Sequence, residues 1–232
     1  MPQFTVTGDV DPFLHVSLRK GEKIFCESDA MVMMEDTLRI KGQMRGGLGQ
    51  ALLRRFANDE SIFQQEIEAV DGDGDCLLSP ALPGGIEVLE VSPGEAYTLA
   101  DGAFVAAESS VDIRSRLNNL GGALFGGTGG FVVMEARGQG KLAVSGFGSI
   151  FRLDVEPGKD VVIDNNHAVA WSSTLQYEVG VARSGGGLFG SLVNSVTSGE
   201  GLVLKFRGRG SVVVCSRNRE LFVSQARRAG SA

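Results

Sequence analysis

The chain has 232 residues, 43% of them hydrophobic and 22% charged, enough apolar material for the core of one large domain or two small ones. Its net charge of −6 repels a polyanion on average and so disfavours nucleic acid as a partner. Thirty-three glycines against six prolines exclude a collagen or a Pro-rich linker and point to short strands joined by tight turns.

The opening "MPQFTVTGDVDPF" has neither a basic start nor an apolar run, so no secretory signal is expected. No apolar stretch approaches the about 20 residues of a spanning helix. The three cysteines, Cys26, Cys76 and Cys215, are odd in number and widely spaced. They read as reduced thiols, and the expected location is cytoplasmic.

From Val16 the stretch "VSLRKGE" alternates Val16 and Leu18 and then reaches Gly21. Period two predicts a strand, and the glycine a tight turn. Ala30-Met31-Val32 follows as the next strand. His15 has no H-x-H or D-x-H spacing and reads as a satisfied or solvated imidazole. "GGLGQALLRRF", from Gly46, places Leu48, Leu52 and Phe56 at i, i+4 and i+8, the spacing of a short amphipathic helix. "AVDGDGDCLL" then carries Gly72 and Gly74 between alternating residues, a hairpin signal. "DGDGD" (71–75) resembles the start of a calcium loop. The sixth and twelfth positions, however, are Cys76 and Leu82 rather than Gly and Glu, so the stretch reads as an acidic hairpin tip.

The same landmarks return twice. "LEVSPGE" from Leu89 and "LDVEPGK" from Leu153 repeat the strand and its turn glycine, here Gly94 and Gly158. Ala103-Phe104-Val105 and Ala168-Val169 repeat the following strand. The last pair comes one residue late, which predicts an insertion near Asn165-Asn166. "GGALFGG" at Gly121 and "GGLFGSLVNSV" at Gly186 repeat the glycine-led segment. Leu188, Leu192 and Val196 restore the helical spacing in the third copy. The middle copy has "GGTGG" instead, and each glycine costs a helix about 1 kcal/mol relative to Ala, so a tight loop is predicted there. The two helical segments either plug the ends of a β-structure or face a partner subunit or a membrane surface. Gly138/Gly140 and Gly208/Gly210 repeat the Gly-x-Gly pair. Four landmarks in one order divide the chain into three units, about 13–84, 85–148 and 149–216. The expectation is one compact all-β domain over 1–232, pseudo-threefold and sandwich- or barrel-like, with short helical insertions and a short basic C-terminal tail.

No catalytic, metal or cofactor site emerges. "GGALFGGTGG" lacks the lysine of a phosphate loop, and "GQGKLA" has Leu142 after Lys141 and Glu at residue 135. In "SGFGS" neither Ser145 nor Ser149 has glycines two residues before and after it, so there is no nucleophile elbow. Asp164, His167 and Trp171 form the best small cluster and are candidate ligand contacts. "LKFRGRGS" is the single basic–aromatic stretch.

The L-x-V-x-P-G-E strand-turn, the Gly-Gly-Leu segments and the closing "GEGLVLKFRGRGSVVVCSR" together resemble the altered inheritance of mitochondria protein 24 family. The resemblance spans about residues 4–216. Cys215 and Ser216 stand where that family more often has an amide residue and Thr. It implies a fold similar to the tryptophan RNA-binding attenuation protein and a non-enzymatic role. The fungal relatives are linked to inner-membrane organisation; the chain looks more like the family's uncharacterised bacterial members. The expected function is structural, in assembly or interaction, with no enzyme activity and no cofactor. The alternatives are a small-ligand module with its site between repeats or subunits, and membrane-surface association through the Leu-rich segments. A homo-oligomer is expected, a trimer first among the forms, because duplicated β-units leave strand edges open.

Overall fold

The structure, a computed structural model of the chain, describes residues 1–44, 63–118, 131–181 and 202–229. A first strand, β1 (Gln3–Thr7), precedes three successions of six strands. The first unit holds β2 (Phe13–Leu18), β3 (Lys23–Glu27), β4 (Met31–Met34), β5 (Leu38–Met44), β6 (Phe63–Ala69) and β7 (Gly74–Leu78). The second holds β8 (Ile86–Val91), β9 (Tyr97–Leu99), β10 (Phe104–Glu108), β11 (Val111–Asn118), β12 (Phe131–Gly138) and β13 (Gly140–Ser145). The third holds β14 (Ile150–Val155), β15 (Val161–Asp164), β16 (Ala168–Ser172), β17 (Gln176–Val181), β18 (Leu202–Arg207) and β19 (Gly210–Cys215). The alternating stretches around Leu18, Val91 and Val155 are strands because one face of each meets a core, and all three of these residues are buried.

Every unit sorts its strands into the same two antiparallel halves. The first, sixth and third strands pair as β2·β7·β4, β8·β13·β10 and β14·β19·β16. The second, fifth and fourth pair as β3·β6·β5, β9·β12·β11 and β15·β18·β17. Neighbouring units are then joined edge to edge. β3 pairs with β10, and β9 with β16, giving two six-stranded sheets. The halves left over form a four-stranded sheet, β1-β2-β7-β4, and a three-stranded sheet, β15-β18-β17. The pairings therefore run in a row along the chain; a threefold closure is not among them.

The Gly-x-Gly segments, expected to be hairpin tips, are crossings between sheets. β6 and β7, β12 and β13, and β18 and β19 never pair with each other. Gly138 (φ +116°) and Gly140 (φ +141°) supply the turn that carries β12 into β13's sheet, a conformation that favours glycine. Within the units the hairpin pairings are β5·β6, β11·β12 and β17·β18. The chain between these strands runs through 45–62, 119–130 and 182–201. The expected helices, with Leu48, Leu52, Phe56, Leu188, Leu192 and Val196, lie outside the described residues.

Two other expectations meet the structure directly. The insertion expected near Asn165-Asn166 is not there: Val32, Val105 and Val169, across which the third strand's register shifts in every unit, stand eleven residues after Gly21, Gly94 and Gly158 alike. Asn165–His167 form a 3-10 turn capped by Asp164, whose carboxylate accepts from the Asn166 amide at 2.9 Å. The C-terminal stretch is not simply a solvated tail. It contains α1 (Arg219–Ala229), begun by Asn218, whose side-chain oxygen accepts from the Leu221 amide at 3.1 Å. Phe222 of α1 packs edge-on against Phe147 at 5.1 Å, and Arg217 stacks over the same ring.

Each unit has its own apolar core, and the first two are completed by the unit that follows. The first core includes Val105, Ala106 and Ala143 of the second unit. The second includes Val169, Ala170, Val213 and Cys215 of the third. The third is built around Trp171, Phe206 and Leu204. Burying a side chain of this size contributes about 1.5–3 kcal/mol, so each join adds core as well as hydrogen bonds.

Candidate functional site

The three residues expected to touch a ligand take up different tasks. Asp164 caps the 3-10 turn. The His167 Nδ1 lies 2.8 Å from the Cys215 carbonyl oxygen. Trp171 is buried, its ring packed on Tyr177 at 5.3 Å and Phe206 at 5.6 Å. No hydrogen bond or ring contact among the described residues links these three to one another. The Trp171 indole Nε1 is buried with no hydrogen-bond partner among the described residues.

The other polar candidates are engaged locally. Asp71 pairs with Arg39, Asp73 accepts from the Lys20 amide at 2.8 Å, and Asp75 lies 3.4 Å from the His15 Nε2. The acidic "DGDGD" is thus tied to the segments of Arg39, Lys20 and His15. In "LKFRGRGS", Phe206 is fully buried, Lys205 pairs with Asp160 at 2.8 Å, and Arg207 reaches Asp160 and Glu178 at 3.0 and 3.1 Å. The two hydrogen-bonded cations hold the Asp160 carboxyl below its ordinary range. The three cysteines are free and buried, and desolvation pushes Cys26 and Cys76 up to about 12, which leaves them without thiolate at neutral pH. A cleft of ≈ 200 Å³ lies between the turn before β2 and the stretch after β7, walled by Pro12, Pro80 and Pro83, with Asp11 the titratable residue among the described ones that line it. Among the described residues no three His, Cys, Asp or Glu side chains gather to hold a metal. None of their helices is long and apolar enough to cross a membrane.

What stands apart is a pair of strand edges. The third strand of every unit carries a bulge at the valine of the repeated Ala-x-Val stretch. Register shifts fall across Val32, Val105 and Val169. In the second and third units the joins cover this strand, and Val105 and Val169 are 0% and 3% exposed. In the first unit no described strand joins the outer edge of β4, and Val32 and Met33 are 54% and 41% exposed. At the other end of the row the outer edge of β15 is likewise without a partner strand among the described residues, and Val162 is exposed. Apolar side chains on an open strand edge form a pairing surface. The repeats were legible in the sequence. The edges were not, because their exposure depends on which strand has a neighbour.

The family model described as mitochondrial biogenesis AIM24 matches residues 4–217. The chain belongs to the AIM24 family. A similar relative is an uncharacterized protein of Streptococcus pyogenes serotype M6, 34% identical, with 97% of this chain and 90% of that one aligned. A crystal structure of a Streptococcus pyogenes protein, a structural-genomics target, is similar over 99% of this chain and all of its own, with 31% identity and a TM-score of 0.77. The AIM24 match ends at residue 217, just before α1.

Proposed function

We propose that this AIM24-family protein is a non-enzymatic assembly protein whose work is to hold protein chains together. The observation that carries the reading is the contrast between the joined and unjoined third strands. The strand that is sealed in two units by a neighbour's edge stands open in the first, with Val32 and Met33 uncovered. The polar clusters favour the same reading, since Asp71, Asp73, Asp160 and Glu178 are engaged in ion pairs and turn contacts. Buried free thiols fit a reducing compartment such as the cytoplasm.

A second reading, a small-ligand module, is favoured by the unpartnered indole N–H of Trp171, because a buried donor without an acceptor is costly. A thermal-shift screen separates the two. An assembly protein is expected to show no saturable rise in Tm with metabolites, nucleotides or metal ions. A saturable rise with one small molecule, lost in Trp171→Phe, overturns the assembly reading in favour of the second.

A further inference from the structure

We infer that the open edge of β4 takes the β15 edge of a second copy of this chain, head to tail, in the register already used twice inside the molecule. The inference rests on the assembly reading and names its partner.

The two internal joins share one register. Counted from the turn glycines Gly21, Gly94 and Gly158, the residues three, four and five positions on are Ile24-Phe25-Cys26, Tyr97-Thr98-Leu99 and Val161-Val162-Ile163. Counted from the bulge valine, the next three residues are Ala106-Ala107-Glu108, Ala170-Trp171-Ser172 and Met33-Met34-Glu35. The first join places Ala106 opposite Cys26, Ala107 opposite Phe25 and Glu108 opposite Ile24. The second places Ala170 opposite Leu99, Trp171 opposite Thr98 and Ser172 opposite Tyr97. These are the same three positions on each side. The remaining edges, put together by the same rule, set Met33 opposite Ile163, Met34 opposite Val162 and Glu35 opposite Val161.

The sheets agree with the register. Each complete sheet runs in the order first–sixth–third strand of one unit, then second–fifth–fourth of the unit before it. The two leftover sheets are the two halves of a third such sheet, β2-β7-β4 and β15-β18-β17, with β1 added at the outer edge. Within one chain β4 and β15 do not pair. The exposed apolar residues, Val32 and Met33 on one edge and Val162 on the other, are those that such a contact would cover. The backbone also complements itself. At the second join the Ala100 amide donates to the Val169 bulge carbonyl at 2.9 Å. The equivalent groups at the open edges are the Asp164 amide and the Val32 carbonyl. Because the two surfaces differ, the contact is heterologous and repeats from copy to copy, closing a ring where the rotation allows.

The test uses the full chain. Light scattering at micromolar concentration is expected to give a multiple of one chain's mass, and Val162→Pro, which removes an edge amide, to shift it to a single chain while circular dichroism stays unchanged. A variant that misfolds leaves the decision to cross-linking. Glu35 and Val161 would stand as Ser172 and Tyr97 do, a non-hydrogen-bonded pair beside the Ser173–Ala96 hydrogen bond. Such a pair has Cα atoms about 4.5 Å apart, within disulfide reach. Chains carrying Glu35→Cys mixed with chains carrying Val161→Cys are expected to give a disulfide-linked dimer that neither chain gives alone. A wild-type monomer overturns the inference, as does an oligomer whose mixture gives no such dimer, or a chain with both cysteines that links only to itself. An oligomer without the cross-link leaves the assembly reading standing; a saturable ligand in the thermal-shift screen removes that reading whatever the cross-link shows.

Discussion

Glu108 lies buried at the end of β10, opposite Ile24 at the first join, and loss of water pushes its carboxyl above the ordinary range. The folded chain therefore holds this proton more tightly than the unfolded one. The group's contribution to stability is full below an ordinary Glu pKa of about 4.3 and is lost as pH rises through the raised folded value. Glu108→Gln, neutral throughout, is expected to unfold at higher urea than the wild type at pH 7 and at the same urea near pH 4. A gain that persists at pH 4 would mean that shape rather than charge decides. Nothing in the sequence marks Glu108, since its burial comes from the neighbouring unit's edge. Asp164, His167 and Trp171 show the reverse. Their closeness in sequence is real, but a strand alternates its side chains, and the 3-10 turn before it uses Asp164 as a cap and leaves His167 at the Cys215 carbonyl.

At the scale of elements, alternation told strands from turns but not which strands would pair. Period two reports which residues face a core, whichever neighbour supplies the edge. Gly-x-Gly between two alternating runs has the look of a hairpin, and the left-handed φ at Gly138 and Gly208 serves instead to turn the chain from one sheet into the other. A Cβ at Gly138 would collide with the Ser110 carbonyl oxygen. Gly138→Ala is accordingly expected to cost more than about 1 kcal/mol in urea unfolding, whereas Gly42→Ala, where a Cβ meets nothing within 4 Å, loses far less. Equal losses would mean that the crossing does not depend on the backbone freedom of Gly138. The turn glycines repeat less uniformly than their sequence does. Gly21 and Gly158 adopt φ of +86° and +83°, while Gly94 stays outside the left-handed region. α1 was legible in part, with Asn218 before it, Glu220 in its first turn and Arg227 and Arg228 near its end; the tail's basic character masked those signals.

For the whole molecule, the repeat predicted three related units, and the pairings add the rule by which they connect. A row has two ends, so one third strand and one second strand are left over whatever the sequences of the units. Hydrogen exchange gives a direct reading of that asymmetry. At dilutions that favour single chains, the amides of Met34 and Val162 are expected to exchange faster than those of their joined counterparts Trp171 and Thr98. Equal protection in the single chain would mean that the edges are covered by something other than another copy.

The Gly84–Gly148 bridge has a consequence for how such a chain can change in length. The start of the second unit lies against the start of the third, with the Gly85 amide 2.7 Å from the Gly148 carbonyl oxygen, and Ser216, at the end of the third unit, returns to Ser149. The chain enters and leaves the third unit on one side, where the second unit also begins. A stretch running from one such glycine to the next can therefore be duplicated or excised in the gene with its two ends already neighbours in space, and the protein can lengthen by whole units without threading its chain along a new path.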